Sequence, residues 1–562
     1  MKAKNIIDFH PKFIDAMKNY SREKFSADVM AGIIVGIVAI PLAIAFGIAS
    51  GVGPAEGLMT AVIAGLLISI LGGSKVQIGG PTGAFIVIIY GVIQQYGVAG
   101  LAIATVMAGI ILVVMGLCRL GTIIKFMPYP IIIGFTGGIA ITIFSTQIND
   151  LFGLGIESVP ANFVDKWVCY AQNIGKIDYW SAGMGILSVV LIALTPKFSK
   201  KIPGSLLAIV VMTAIAYVLR EYAGVTSIKT IGDLYELPSG LPPFTAPSLP
   251  EGKTLFAAMQ ELAPVAFTIA MLGAIESLLS AMVADGVIGD KHNSNTELIG
   301  QGIANIVVPF FGGIPATGAI ARTMANINNG GRTPIAGVVH TVVLLCVLLL
   351  LGGLVGAIPM PCLAGVLIMV SYNMSGWRTI RSMCRQSRSD IAVLFTTLLL
   401  TVIFDLTIAI EIGLVLAVVL FMRRIMENTS ISVLKDQLGV HNDGEADDEQ
   451  ITIPEFAEVY EIDGPFFFGI ATKFEEMART RSNATVRIIR MRKVSFIDAT
   501  GLHNLEIFVD ASVENGRKVI LSGVNEKVYK SLNRSGLVDK IGKENILDSI
   551  HAALNRSFEV AQ

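Results

Sequence analysis

Two threonines, a glutamate and an arginine stand out as residues whose surroundings could do chemistry. Thr82 sits in Gly79-Gly80-Pro81-Thr82-Gly83-Ala84, and Thr317 sits in Gly312-Gly313-Ile314-Pro315-Ala316-Thr317-Gly318-Ala319. These are near-copies of one phrase inside an otherwise apolar chain. Gly and Pro break helices, and broken backbone survives in a bilayer only where it is buried in protein or lines a cavity. Paired interruptions at matching places in two halves point to a transporter's binding site. If each phrase starts a half-helix near the membrane midplane, two helix N-termini face a common point. Their unpaired N–H groups and partial positive charge then make an anion site without a metal. Thr82 adds a hydroxyl donor, and Gly83, Ala84 and Ala319 are small enough to admit a ligand to the backbone. The competing reading is that these small residues only let helices pack closely. Arg322 falls in the first turn of the second half-helix, where a guanidinium is costly unless an anion or carboxylate is near. Glu276 is the clearest carboxylate in the middle of an apolar run, Ala270 to Ser280. It could exchange a proton, hold Na⁺ together with Ser280 one turn on, or simply pair with Arg322. The lone His340 reads as a packed residue. No zinc spacing, catalytic triad or P-loop is found, so no enzymatic chemistry is expected.

These residues need a membrane scaffold, and the composition supplies one. The chain has 562 residues, 53% hydrophobic and 15% charged, with a mean hydropathy of +0.68. Soluble domains carry about 25% charged residues. A net charge of −1 gives no basic excess for nucleic acid. The five cysteines lack a CxxC spacing and read as free thiols. The polar N-terminus lacks the apolar core of a signal peptide. Apolar runs fall near 29–49, 57–72, 82–95, 99–118, 127–148, 181–196, 203–220, 260–284, 296–311, 318–329, 334–357, 361–374, 390–404 and 406–424, fourteen in all. The third and tenth each follow one copy of the phrase and read as half-helices. Thr82 and Thr317 are 235 residues apart (317 − 82), and the same offset carries Pro41 to Glu276. Seven spans per half is an odd number, which forces an inverted repeat. Basic residues cluster before span 1 and after spans 2, 4, 6, 12 and 14, which predicts both termini in the cytoplasm of an inner-membrane protein.

The expected organisation is a cytoplasmic segment at 1–28, a transmembrane domain at 29–426, a linker at 427–450 and a soluble α/β domain at 451–562. Strands are expected at Phe456–Ile462, Thr485–Met491 and Val519–Gly523, and helices near 470–481, 500–515, 525–534 and 544–555. Asp498 or Thr500 could cap the second of those helices. A phosphate on Thr500 would also suit a helix N-terminus.

Several stretches resemble the SulP anion permeases, bacterial relatives of solute carrier family 26. They are Pro54 to Lys75 ending in Gly72-Gly73-Ser74-Lys75, Ile40-Pro41-Leu42-Ala43-Ile44-Ala45-Phe46, Gly80-Pro81-Thr82 and Gly330-Gly331-Arg332-Thr333-Pro334. The run Phe496-Ile497-Asp498-Ala499-Thr500-Gly501-Leu502 is similar to a STAS domain. The resemblance implies fourteen spans as a seven-plus-seven inverted repeat with core and gate subdomains. It also implies an anion site at Leu42, Phe46, Thr82, Gly83, Ala319, Ile320, Ala321 and Arg322. It places ion coupling at Glu276 and Ser280, where sodium-dependent members tend to have Asp and Thr. Leu42 and the signature positions Glu56 and Met59 depart from the usual pattern. The implied activity is secondary active transport of sulfate or a C4-dicarboxylate ahead of bicarbonate, coupled to H⁺ or Na⁺. No cofactor is expected. The lipid bilayer, a second copy of the chain and a cytoplasmic regulator acting through the STAS domain are the expected partners. A nucleobase permease of the same fold and a membrane-anchored STAS signalling scaffold are the alternatives.

Overall fold

The computed structural model describes residues 9–18, 20–122, 128–156, 159–160, 162–198, 203–235, 244–248, 254–350, 352–404, 406–434, 437–440, 449–469 and 484–561. Two compact units are present, Met1–Val415 and Leu416–Gln562.

The first unit is a helical transmembrane fold. Its first two spans are Arg22–Ala49 and Pro54–Leu71. A short turn at Gly83–Phe85 opens the third span, which runs with the fourth from Ile86 to Leu117. Gly97 separates these two spans, with φ 69° and ψ −178° inside the helical run. The next three spans are Tyr129–Thr146, Tyr179–Phe198 and Gly204–Tyr222. The second half follows as Leu255–Ile288, Ser294–Val307, Ile320–Asn328, Ile335–Leu350, Met360–Met374, Arg388–Ile403 and Leu406–Asn428, the last of which runs on past the unit boundary at Val415. Among the described residues, seven helices are long and apolar enough to cross a bilayer alone. The tenth span has nine residues, a half-helix as expected.

The inverted repeat is legible in one sheet. β1 (Gly79–Gly80) precedes the third span, β2 (Thr317–Gly318) precedes the tenth, and the two pair antiparallel, Gly79 with Gly318 and Gly80 with Thr317. Antiparallel strands enter the pair from opposite sides, so the half-helices that follow leave in opposite directions. Spans 1–4 pack among spans 8–11, while spans 5, 6 and 7 pack with spans 12 and 13. These are the expected core and gate groups. Small residues set the closest approaches. A Cβ added at Gly109 of span 4 would lie 2.6 Å from the Gly302 carbonyl of span 9, the spacing that small residues permit between membrane helices.

The second unit is built on a five-stranded sheet in the order β3 (Ser430–Leu434), β6 (Ala457–Asp463), β7 (Val486–Lys493), β8 (Lys518–Ser522) and β9 (Ile546–Leu547). β3 is antiparallel and the others are parallel. One face buries Tyr460, Ile489, Phe508 and Leu521, and the other buries Val459, Ile488, Ile520 and Leu554. Burial on both faces explains why the strands read as nearly unbroken apolar runs. Segment 427–450 is not a plain linker. Ser430–Leu434 forms the edge strand of this sheet, and β4 (Gln437–Val440) pairs with β5 (Glu449–Thr452). Both are runs of only four or five residues beside the acidic stretch 443–449, too short to stand out from a linker by composition. The last helix is Ile550–Val560, later than the expected 544–555, since Ile546–Leu547 is taken by β9. The expected helix at 470–481 lies outside the described residues.

Candidate functional site

The two phrases meet. The Ala319 N–H donates to the Ile78 carbonyl at 2.9 Å, so the end of β2 is fastened to the start of β1. Gly80 has a φ of 150°, and a Cβ there would lie 2.5 Å from Arg322 Nη1. Only glycine combines that backbone with that approach. Thr82 is the N-cap residue of the third span and Ala319 that of the tenth, and neither caps its helix through the side chain. Ala319 has no side-chain acceptor to offer. Thr82 Oγ1 instead donates to Glu276 Oε2 at 2.8 Å. The first N–H groups of both half-helices are therefore left without a side-chain cap, as an anion site requires.

Arg322 is the third residue of its half-helix and 1% exposed. Its Nη2 donates to the Pro81 carbonyl, while Nη1 is buried with no hydrogen-bond partner. The guanidinium thus bridges from the tenth span to the phrase before the third. Glu276 is half-buried in the eighth span, and its hydrogen-bond partner is Thr82 rather than Arg322. Ser280 lies one turn further and donates to Thr323 Oγ1 at 3.2 Å, not toward Glu276. Thr317 donates to the Gly273 carbonyl at 2.9 Å and ties β2 to the same span.

The remaining expected residues divide. Phe46 is buried, and its ring edge lies 3.6 Å from a Cβ built on Gly83. Leu42, one turn earlier, is half-buried. Ala319 is buried, whereas Ile320 and Ala321 are exposed, on the side of the half-helix away from Arg322 and Thr323. Thr500 is exposed at the second position of the helix Ala499–Glu514, and the cap is Asp498, whose Oδ1 accepts from the Gly501 N–H at 2.7 Å. His340 is fully buried.

Several residues at the crossing were not anticipated. Ile143 of the fifth span and Met374 at the end of the twelfth come within 2.9 Å and 3.2 Å of a Cβ built on Gly83. They place gate side chains against the first turn of the third span, and as isolated apolar residues they carry no sequence signal. Thr323 Oγ1 accepts from the Ile78 N–H at 3.1 Å. Asp28, 1% exposed, accepts from the Arg332 N–H at 2.8 Å and from Thr333 Oγ1 at 2.6 Å. That pairing gives Gly330–Pro334 a structural part, holding the loop after the tenth span to the first.

The sulfate permease family model matches residues 25–397, and the STAS domain model matches residues 450–553. The chain is 42% identical over 547 residues to YvdB of Bacillus subtilis (strain 168), covering 96% of this chain and 98% of that one. It is 29% identical over 522 residues to the bicarbonate transporter BicA of Picosynechococcus sp. (strain ATCC 27264 / PCC 7002 / PR-6), covering 90% of each. The solved transmembrane domain of a cyanobacterial BicA matches with a TM-score of 0.62 at 29% identity, over 71% of this chain and 98% of that one. The murine Solute Carrier 26 family member A9, an anion transporter solved in the inward-facing state, matches with a TM-score of 0.85 at 17% identity, over 98% of this chain and 94% of that one. The second likeness is one of fold.

Proposed function

The chain belongs to the sulfate permease family and carries a STAS domain, and from that premise we propose a secondary active transporter that moves sulfate or a C4-dicarboxylate by alternating access. It is an integral membrane anion transporter rather than an enzyme. The observation that carries the finer reading is the crossing itself. Two uncapped half-helix N-termini are fastened together beside a buried guanidinium whose Nη1 has no protein acceptor. A solute oxyanion would complete that guanidinium and accept from the free N–H groups. A dianion draws more from this positive group than a monoanion, which ranks sulfate and dicarboxylates above bicarbonate. A nucleobase would leave the charge unanswered.

Coupling is assigned to Glu276. Ionised, it adds a negative charge next to the anion and holds the Thr82 hydroxyl. Protonated, it removes that repulsion and no longer needs Thr82 as a donor, so anion and proton favour each other's binding. Na⁺ bound at Glu276 with Ser280 would act in the same direction. Rocking of the gate spans would move Ile143 and Met374 past Gly83 and open the site to alternate sides. Both termini lie in the cytoplasm on this reading, supported by the basic loops. The protein works as a homodimer, with Thr500 exposed to a cytoplasmic regulator. The test is uptake by purified protein in liposomes, using labelled sulfate, bicarbonate, succinate and fumarate under separate pH and Na⁺ gradients. Gradient-driven accumulation of sulfate or a dicarboxylate is expected, and uptake of bicarbonate alone would overturn the ranking.

A further inference from the structure

We propose that Glu297 is a positioning residue for the half-helix crossing, a buried carboxylate that fixes the loop delivering β1. Its transport arm rests on the reading of the crossing as the anion site. Glu297 is the fourth residue of the ninth span and fully buried. Oε2 accepts from the Gly73 and Ser74 N–H groups at 2.8 and 3.0 Å, and Oε1 accepts from Gln77 Nε2 and Gln301 Nε2 at 3.0 and 2.8 Å. Four N–H donors on one carboxylate meet its charge by hydrogen bonding, the strong charge-assisted kind. Three of the four belong to the seven residues between the second span and β1. Asn293 closes the same loop by donating its N–H to the Gly73 carbonyl at 2.9 Å.

The clamp reaches both strands. Gln77, held by Glu297, lies so close to Gly318 of β2 that a Cβ there would come within 1.8 Å of Gln77 Nε2. The next residue, Ile78, accepts from the Ala319 N–H and donates to Thr323 in the first turn of the tenth span. Glu297 therefore touches no solute, yet it sets where Gly80, and with it Arg322, stand. Filling the space is not enough. An apolar residue at 297 would leave four buried donors unanswered.

The experiment compares Glu297→Ala and Gln77→Ala in the full chain. Hydrogen exchange is read over residues 73–85 and 312–323 without solute, and KM and maximal rate for sulfate are read in liposomes. In E297A both segments are expected to exchange faster, and KM to rise about tenfold, the scale of a small misplacement of binding groups, with a smaller change in maximal rate. Wild-type exchange in both segments would overturn the proposal. So would an E297A protein that only folds in lower yield and keeps the wild-type KM. If E297A does not fold, Q77A carries the test, since it cuts only the arm toward β2. Faster exchange over 312–323 with a raised KM supports the proposal, and a wild-type KM refutes it. If wild-type liposomes move none of the anions, the transport reading falls, while the exchange measurement still decides the role of Glu297.

Discussion

Replacing Arg322 by alanine removes a full charge and one unpaired donor from the crossing, and the loss can be sized. A unit charge about 4 Å from the guanidinium gains roughly 4 kcal/mol at an effective dielectric of about 20. Desolvation of the anion takes back part of that. A hydrogen bond to a charged group nets about 1.5–3 kcal/mol. A net loss of about 2–3 kcal/mol is therefore expected for a monoanion, or roughly 30- to 150-fold in Kd. If the net loss doubles with the Coulomb part for a dianion, sulfate should lose roughly a further 30- to 150-fold relative to bicarbonate. The same substitution leaves the buried Pro81 carbonyl without its donor. Folded fraction must therefore be measured beside affinity, by size exclusion and thermal unfolding. Arg322→Lys separates charge from geometry. It keeps the charge, but an ammonium cannot reproduce the fixed fork that reaches Pro81 with one nitrogen and leaves the other for the proposed solute. Its affinity should fall between those of wild type and R322A. The assay is equilibrium binding of labelled sulfate and bicarbonate to purified protein at two salt concentrations. A folded R322A protein with the wild-type Kd, or one losing the same factor for both anions, would refute the electrostatic account of the site.

Further outcomes are expected elsewhere. Glu276→Gln keeps an acceptor for Thr82 but cannot take up a proton, so binding and counterflow should persist while pH-driven accumulation disappears; undiminished accumulation would reject the coupling role. Asp498→Ala removes the cap of the helix Ala499–Glu514 and should cost about 1 kcal/mol of stability in the second unit, read as a lower unfolding midpoint, whereas Thr500→Ala should leave that midpoint unmoved. Deleting 440–562 leaves the edge strand Ser430–Leu434 without its partner Ala457–Asp463, an invitation to aggregation. Deleting 429–562 removes both and should give the more monodisperse membrane domain, and equal behaviour of the two truncations would contradict the strand pairing.

How far the site was legible depends on what each residue's cost looked like in one dimension. The repeated Gly-Pro phrases were conspicuous because broken backbone inside an apolar run has no cheap explanation, and they mark the crossing where β1 and β2 pair. Arg322 and Glu276 were conspicuous for the same reason, since a charge among apolar neighbours must be answered by something. What could not be read was the pairing. Thr82 looked like a donor to the solute, yet its hydroxyl is taken by Glu276, and Ser280 turns to Thr323. These partners lie 194 and 43 residues away in sequence, and no local pattern links them. Glu297 shows the limit most clearly. It follows Ser294-Asn295-Thr296 in the first turn of a helix, where an acidic residue is ordinary. Nothing local distinguishes an exposed acid at a helix start from one buried under four donors. Its partners are a loop 220 to 224 residues upstream and an amide one helical turn on. A charge in an apolar run announces its cost, whereas a charge at a polar helix start conceals it, so the residues of the proposed anion site were easier to find than the residue proposed to hold them in place.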